Sequence, residues 1–84
     1  MVYNTKTKTL HIDNTKVKLT KKQHLLLIAL SGGTAVDYES LIQYTKSVNI
    51  HTLKRKLCKR AGDMLKIKTI AGYGLILESE IFYK

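Results

Sequence analysis

Lys54-Arg55-Lys56-Leu57-Cys58-Lys59-Arg60-Ala61-Gly62, followed by Ile67-Lys68-Thr69-Ile70-Ala71-Gly72-Tyr73-Gly74-Leu75-Ile76-Leu77, is the stretch that decides the fold. Ile50, Leu53, Leu57 and Ala61 recur at helical spacing and gather on one face at about 100° per residue. Gly62 stands where such a helix ends, so a helix is expected from about Ser47 to Ala61. Its opposite face then shows Val48, His51, Thr52, Arg55 and Lys59, with Lys54, Lys56 and Arg60 on the flanks. The stretch after Gly62 reads as a hairpin over 66–78. A tight turn needs glycine for positive φ, which Gly72-Tyr73-Gly74 provides.

Working outward, Leu10-His11-Ile12 and Val17-Lys18-Leu19 alternate on either side of Asp13-Asn14, the pattern of strand, turn and strand. Val2-Tyr3 adds a shorter edge strand ahead of a turn region at Asn4 to Lys8. Thr20-Lys21-Lys22-Gln23 has capping-box spacing, in which the Thr hydroxyl takes an orphan amide and the Gln side chain reaches back. A first helix is expected to start there, to carry Leu25, Leu26, Leu27, Ile28 and Leu30 on most sides as a centrally packed element, and to end at Gly32-Gly33. A second, shorter helix fits from near Asp37 to about Tyr44, burying Leu41 with Tyr38 and Ile42. Thr45-Lys46 makes a tight connection to the third. The expected class is α+β, one domain over 1–84, with N-terminal antiparallel strands over 1–19, three helices over 20–62 and a C-terminal hairpin.

Charge is distributed unevenly. Of the net +9, residues 1–22 carry +5, 23–45 carry −2, 46–68 carry +7 and 69–84 carry −1. Between Glu39 and Asp63 there is no acidic residue. A surface built only for solubility mixes both signs, whereas neutralising phosphates favours clustering of one sign. A polyanion partner is therefore expected.

Other classes find little support. At 84 residues there is room for one modest core. The longest apolar run, Leu25 to Leu30, is far too short to span a bilayer, and the N-terminus lacks the hydrophobic segment of a signal peptide. With a single cysteine, Cys58, no internal disulfide forms, which suits a reducing compartment. A cytoplasmic location is expected. His11, His24, His51 and Cys58 lack metal-ligand spacing, and no acid/base pair or activated nucleophile is visible. Neither cofactor nor metal is expected, and no enzyme activity. The five tyrosines are scattered, unlike a stacking platform for single strands.

Leu53-Lys54-Arg55-Lys56-Leu57, followed by Ile67 to Gly74, is similar to the end of the recognition helix and the wing of the OmpR/PhoB-type winged-helix domain. Leu19-Thr20-Lys21-Lys22-Gln23-His24-Leu25-Leu26 resembles that family's first-helix signature, in which Leu-Thr is followed by an acidic residue and paired leucines. The N-terminal strands resemble its small antiparallel sheet, so the resemblance covers nearly the whole chain in one order. It implies a winged helix-turn-helix acting as the DNA-binding effector domain of a bacterial transcription regulator. Family members usually sit behind a phosphorylatable receiver domain, in a two-component system, and often bind direct repeats as a tandem pair. The third helix enters the major groove and the wing reaches the adjacent minor groove.

Carried over by position, the base-facing candidates are Ser47, Val48, His51, Thr52, Lys54 and Arg55. Thr45, Lys46, Asn49, Lys56, Lys59 and Arg60 are the phosphate candidates, which position a protein without reading sequence. Lys66, Lys68, Gly72, Tyr73 and Gly74 make up the wing. Departures from the family pattern narrow what is implied. The connection after Tyr44 is shorter than the loop through which family members touch RNA polymerase. His51 and Thr52 stand where many members have arginines, so bidentate guanine readout is lost there. Ala71 replaces a frequent wing arginine, which leaves Lys66, Lys68 or Tyr73 to serve the minor groove. A receiver domain is a partner only if the chain is a piece of a longer protein, and Asp13, Asp37 and Asp63 are not phosphoacceptors. Sequence-specific binding of duplex DNA leads; a basic RNA-binding module and a protein-interaction domain without a DNA role are the alternatives.

Overall fold

The computed structural model describes residues 1–84. The chain opens on strands β1 (Val2–Asn4), β2 (Thr9–Ile12) and β3 (Thr15–Lys18), paired antiparallel in that order. Alternation places Tyr3, Leu10, Ile12 and Val17 in the core and leaves Lys16 and Lys18 in solvent. Tyr3 pairs with Leu10 and Leu10 with Val17, so one buried row crosses all three strands.

Helix α1 (Lys21–Ala29) begins at the capping box expected from the sequence. The Gln23 amide donates to Thr20 Oγ1 at 3.2 Å and the Thr20 amide donates to Gln23 Oε1 at 3.0 Å. Leu26, Leu27 and Leu30 are fully buried, while Leu25 and Ile28 are only half-buried. Helix α1 closes at Leu30, ahead of Gly32-Gly33. A strand that the sequence did not announce, β4 (Val36–Asp37), then leads straight into helix α2 (Tyr38–Thr45). Asp37 caps that helix, accepting from the Ser40 amide at 3.1 Å and from its hydroxyl at 2.8 Å. These Ser40 hydrogen bonds hold the Asp37 carboxyl below its usual range.

Helix α3 (Ile50–Ala61) starts three residues later than its periodicity suggests. Asn49 is its N-cap, with Oδ1 accepting from the Thr52 amide at 3.1 Å. Ile50, Leu53, Leu57 and Ala61 are all buried, as expected, and Gly62 with φ of 81° ends the helix. Strands β5 (Ile67–Ile70) and β6 (Gly74–Leu77) form the C-terminal hairpin, and β4 joins it on the β6 side. A last short strand, β7 (Phe82–Tyr83), pairs parallel with β1 and completes a second sheet in the order β3-β2-β1-β7. The 17 buried apolar residues form one cluster that draws on both sheets and all three helices. No helix is long and apolar enough to cross a membrane.

The two hairpin glycines serve different ends. Gly72 has φ of 73°, and the Tyr73 amide donates to the Ile70 carbonyl at 3.0 Å, the arrangement of a turn with its left-handed residue third. Gly74 lies outside the left-handed region, so its expected role as a positive-φ turn residue does not hold. A Cβ there would stand 1.8 Å from the Val36 carbonyl oxygen. Gly72→Ala is therefore expected to cost about 1 kcal/mol of stability, with the fold retained. Gly74→Ala should cost clearly more, because β4 must leave β6; urea unfolding of both variants measures the difference.

Where β7 meets α1, polar groups are enclosed. The Tyr83 hydroxyl donates to the Leu27 carbonyl at 2.9 Å, and Tyr3 meets it edge-on with ring centroids 6.0 Å apart. Burial pushes both phenols up to about 12. The Tyr3 hydroxyl is hydrogen-bonded to Nδ1 of His24, whose pKa is lowered by burial and then by nearby Lys8. The unfolded chain thus takes up the His24 proton at a higher pH than the folded one. Stability from this group is complete above the ordinary histidine value of about 6.5 and falls as pH drops through the depressed folded value. Unfolding midpoints measured from pH 7.5 to 5 should decline, and His24→Gln should flatten that part of the profile.

Candidate nucleic-acid interface

Because one side of α3 is occupied by Ile50, Leu53, Leu57 and Ala61, the periodicity turns His51, Arg55 and Lys59 to solvent and leaves Thr52 half-buried beside them. Lys56 and Arg60 are exposed on one flank, and half-buried Lys54 lies on the other. Ser47 and Val48 belong to the lead-in rather than to the helix, with Val48 88% exposed. Lys46 is the left-handed C-cap of α2 at φ of 60° and is exposed.

Several of these side chains are held. The His51 ring lies against Tyr38 at the start of α2, with centroids 5.1 Å apart and planes tilted by 53°. Lys54 Nζ donates to Thr69 Oγ1 of β5 at 2.9 Å, tying the basic helix to the hairpin. Arg60 donates to the Lys18 carbonyl at the end of β3. Between α3 and β5 runs an open cleft of about 610 Å³ lined by His51, Lys54, Arg55, Lys66 and Lys68, with Glu78 its one carboxylate. Cys58 also borders it; burial pushes its thiol pKa up against the opposing pull of Lys54, which keeps the thiol protonated at neutral pH.

One of the expected phosphate contacts is out of reach, and another has a second role. Thr45 is 1% exposed, and its hydroxyl donates to the Leu41 carbonyl at 2.7 Å and accepts from the Ser47 amide at 3.3 Å. It lies inside the α2–α3 junction, where no phosphate reaches it. Asn49 is exposed; its carbonyl oxygen caps α3, and its side-chain NH2 stays available to donate. In the hairpin, Lys66, Lys68, Gly72 and Tyr73 are exposed, whereas Gly74 is buried under β4. Tyr38 is expected from the sequence only as an apolar position of the second helix and Thr69 only as part of the hairpin; their contacts with His51 and Lys54 are not marked by any spacing.

No family model matches the sequence, and neither does any curated protein. Among solved structures, the DNA-binding domain of Bacillus subtilis CssR has a TM-score of 0.71 to this chain, at 22% identity, covering 82% of this chain and 89% of that one. The fold is a winged helix. In its terms α2 and α3 are the helix pair, β5 and β6 with their turn are the wing, and β4 is the short strand that joins the two. This is the architecture implied by the resemblance of Leu53–Leu57 and Ile67–Gly74. The winged helix here has only Lys46 to Asn49 between its paired helices.

The placement of Thr45 can be tested directly. Thr45→Val keeps the shape and removes both hydrogen bonds, leaving the Leu41 carbonyl and the Ser47 amide without this partner. Chemical unfolding should show a loss of about 1–3 kcal/mol. A phosphate-facing Thr45 would instead leave stability unchanged.

Proposed function

We propose that this winged helix binds double-stranded DNA in a sequence-dependent way, as the DNA-binding part of a bacterial transcription regulator. Helix α3 lies in the major groove and the β5–β6 wing reaches the adjacent minor groove. The observation that carries this reading is the face of α3 itself: a helix without a single carboxylate, inside a segment of net +7, projecting from a core that holds only its other side. The likeness to a domain described as DNA-binding supports it.

A B-form major groove about 12 Å wide admits such a helix. The major groove of A-form RNA is too narrow for side chains to read, which favours DNA over an RNA-binding role. Val48, His51, Thr52 and Arg55 are the groups at or near the N-terminal half of α3 that meet base edges, with Ser47 beside them and Lys54 at the wing side. Lys46, Lys56, Lys59 and Arg60 hold phosphates, and Lys66, Lys68 and Tyr73 serve the wing. The four-residue connection between α2 and α3 leaves contact with RNA polymerase outside the proposal.

The test separates anchoring from readout. With about five phosphates neutralised, affinity for duplex DNA should fall with salt at a log–log slope of roughly −4 to −5. Lys59→Ala should weaken binding to all duplexes about equally. Thr52→Ala should change the preference at one base pair by about 1–3 kcal/mol while leaving non-specific affinity in place. Titration of a panel of single-base variants, recovered by selection from random duplexes, reads all three. A slope near zero would remove the DNA reading in favour of a protein-interaction domain.

A further inference from the structure

On the flank of α3 away from the wing lies a second cleft, of about 510 Å³, between the start of α1 and the C-terminal half of α3. It is lined by Thr20 and Gln23 of the α1 capping box and by Lys56, Lys59 and Arg60, with no carboxylate and no apolar side chain. We infer that this cleft is a second phosphate site, which takes the phosphodiester backbone of the DNA strand on the far side of α3 from the wing. The inference rests on the DNA reading and extends the interface from the helix pair and wing to the first helix.

Three observations support it. Arg60 is held in advance: one guanidinium nitrogen donates to the Lys18 carbonyl, and the remaining donors of its planar fork stay available for phosphate oxygens. No carboxylate lines the cleft, and the apolar surface it does present is that of the carbon stems of its own polar side chains, so the charged groups a ligand meets there are all cationic. Charge around the cleft is also uncompensated, because the first turn of α1 carries Lys21 and Lys22 and no acidic residue, the reverse of what a helix N-terminus favours. A polyanion relieves that repulsion.

The position agrees with groove geometry. A helix about 10–12 Å across fills a major groove about 12 Å wide, so each flank adjoins one of the two backbones. Lys54 and Lys68 line the cleft on the wing flank; Lys56 and Arg60 line the one on the α1 flank. Helix α3 is thus gripped from both sides rather than held only through its tip and the wing.

Thr20 gives a clean test, since Asn and Asp both cap helices well and differ here only in charge. Full-chain Thr20→Asp, Thr20→Asn and, as a control for net charge at the far end of the sheet, Asn14→Asp are titrated with duplex DNA across a salt series. Asn14→Asp should match the parent slope, and Thr20→Asn is the uncharged reference against which Thr20→Asp is read. Thr20→Asp should lose roughly ten-fold in affinity for every duplex alike, with a slope shallower by about 1–2, while its melting temperature equals or exceeds that of Thr20→Asn. Equal slopes for Thr20→Asp and Thr20→Asn overturn the cleft, as does an equal loss in both, which would point to the cap rather than to charge. A parent without salt-dependent duplex binding overturns the DNA reading and the cleft together, whereas the slope comparison among variants bears on the cleft alone.

Discussion

Between the hairpin and the helix pair the backbone leaves no room for a side chain. The carbonyl of Val36 lies so close over Gly74 that a Cβ would stand 1.8 Å from its oxygen, a separation that only glycine permits. That approach lets a two-residue strand, β4, dock on β6 and pass directly into α2. Asp37 pairs with Gly74 and caps the helix with the same carboxylate that binds Ser40. One residue on, the Tyr38 amide donates to the Tyr73 carbonyl in the wing turn at 2.9 Å, while the Tyr38 ring supports His51. The Lys54–Thr69 hydrogen bond closes the circuit from the other side. The wing is therefore fixed to the helix pair through two routes, and the one through β4 depends on the backbone contact at Gly74.

Packing has to hold a helix whose exposed side repels itself. Arg55 and Lys59, and likewise Lys56 and Arg60, are like-charge pairs four apart, each costing about 0.2–0.5 kcal/mol. Lys59 and Arg60 recover part of that at the C-terminal end, where the helix dipole favours cations. Fully burying one leucine of the size of Leu57 contributes about 1.5–3 kcal/mol. Four buried residues on one face thus outweigh the repulsion on the other by a wide margin. The charge density of α3 is tolerated by the core, and its use lies outside the core.

What the sequence made legible follows the physics of periodicity. The capping box at Thr20 and Gln23, the alternation of Leu10 with Ile12 and of Val17 with Leu19, and the Ile50–Leu53–Leu57–Ala61 face are each set by spacing, and spacing survives in a string of letters; Val2-Tyr3, expected as an edge strand, lies inside the sheet because β7 pairs with it. Strands β4 and β7 have two residues apiece, too few for any alternation to show; they exist because neighbouring strands offer unpaired amides and carbonyls. Thr45 was misread because a hydroxyl in a basic connection looks solvent-facing until the fold shows it bonded to Leu41 and Ser47. Asn49 also caps α3, a role that no spacing in the sequence announces. Gly74 was recognised as necessary for the turn, whereas the actual demand comes from Val36, 38 positions earlier in the chain.

The same distinction separates affinity from register in the proposed interface. Basic density is additive and can be counted along the chain, because each phosphate neutralised adds a similar increment whatever the side chain's neighbours. Register depends on which groups are already immobile before binding. His51 against Tyr38, Lys54 on Thr69 and Arg60 on the Lys18 carbonyl are held by residues 13, 15 and 42 positions away. A lysine or arginine ordered only on binding surrenders up to about 2 kcal/mol of rotamer freedom, and one ordered beforehand surrenders less. The held side chains therefore set where the helix sits, while exposed Arg55, Lys56 and Lys59 add attraction wherever it sits. With His51 and Thr52 in the first turn of α3, Arg55 is the one base-facing arginine of the proposed interface, and much of the weight of orientation falls on that held frame.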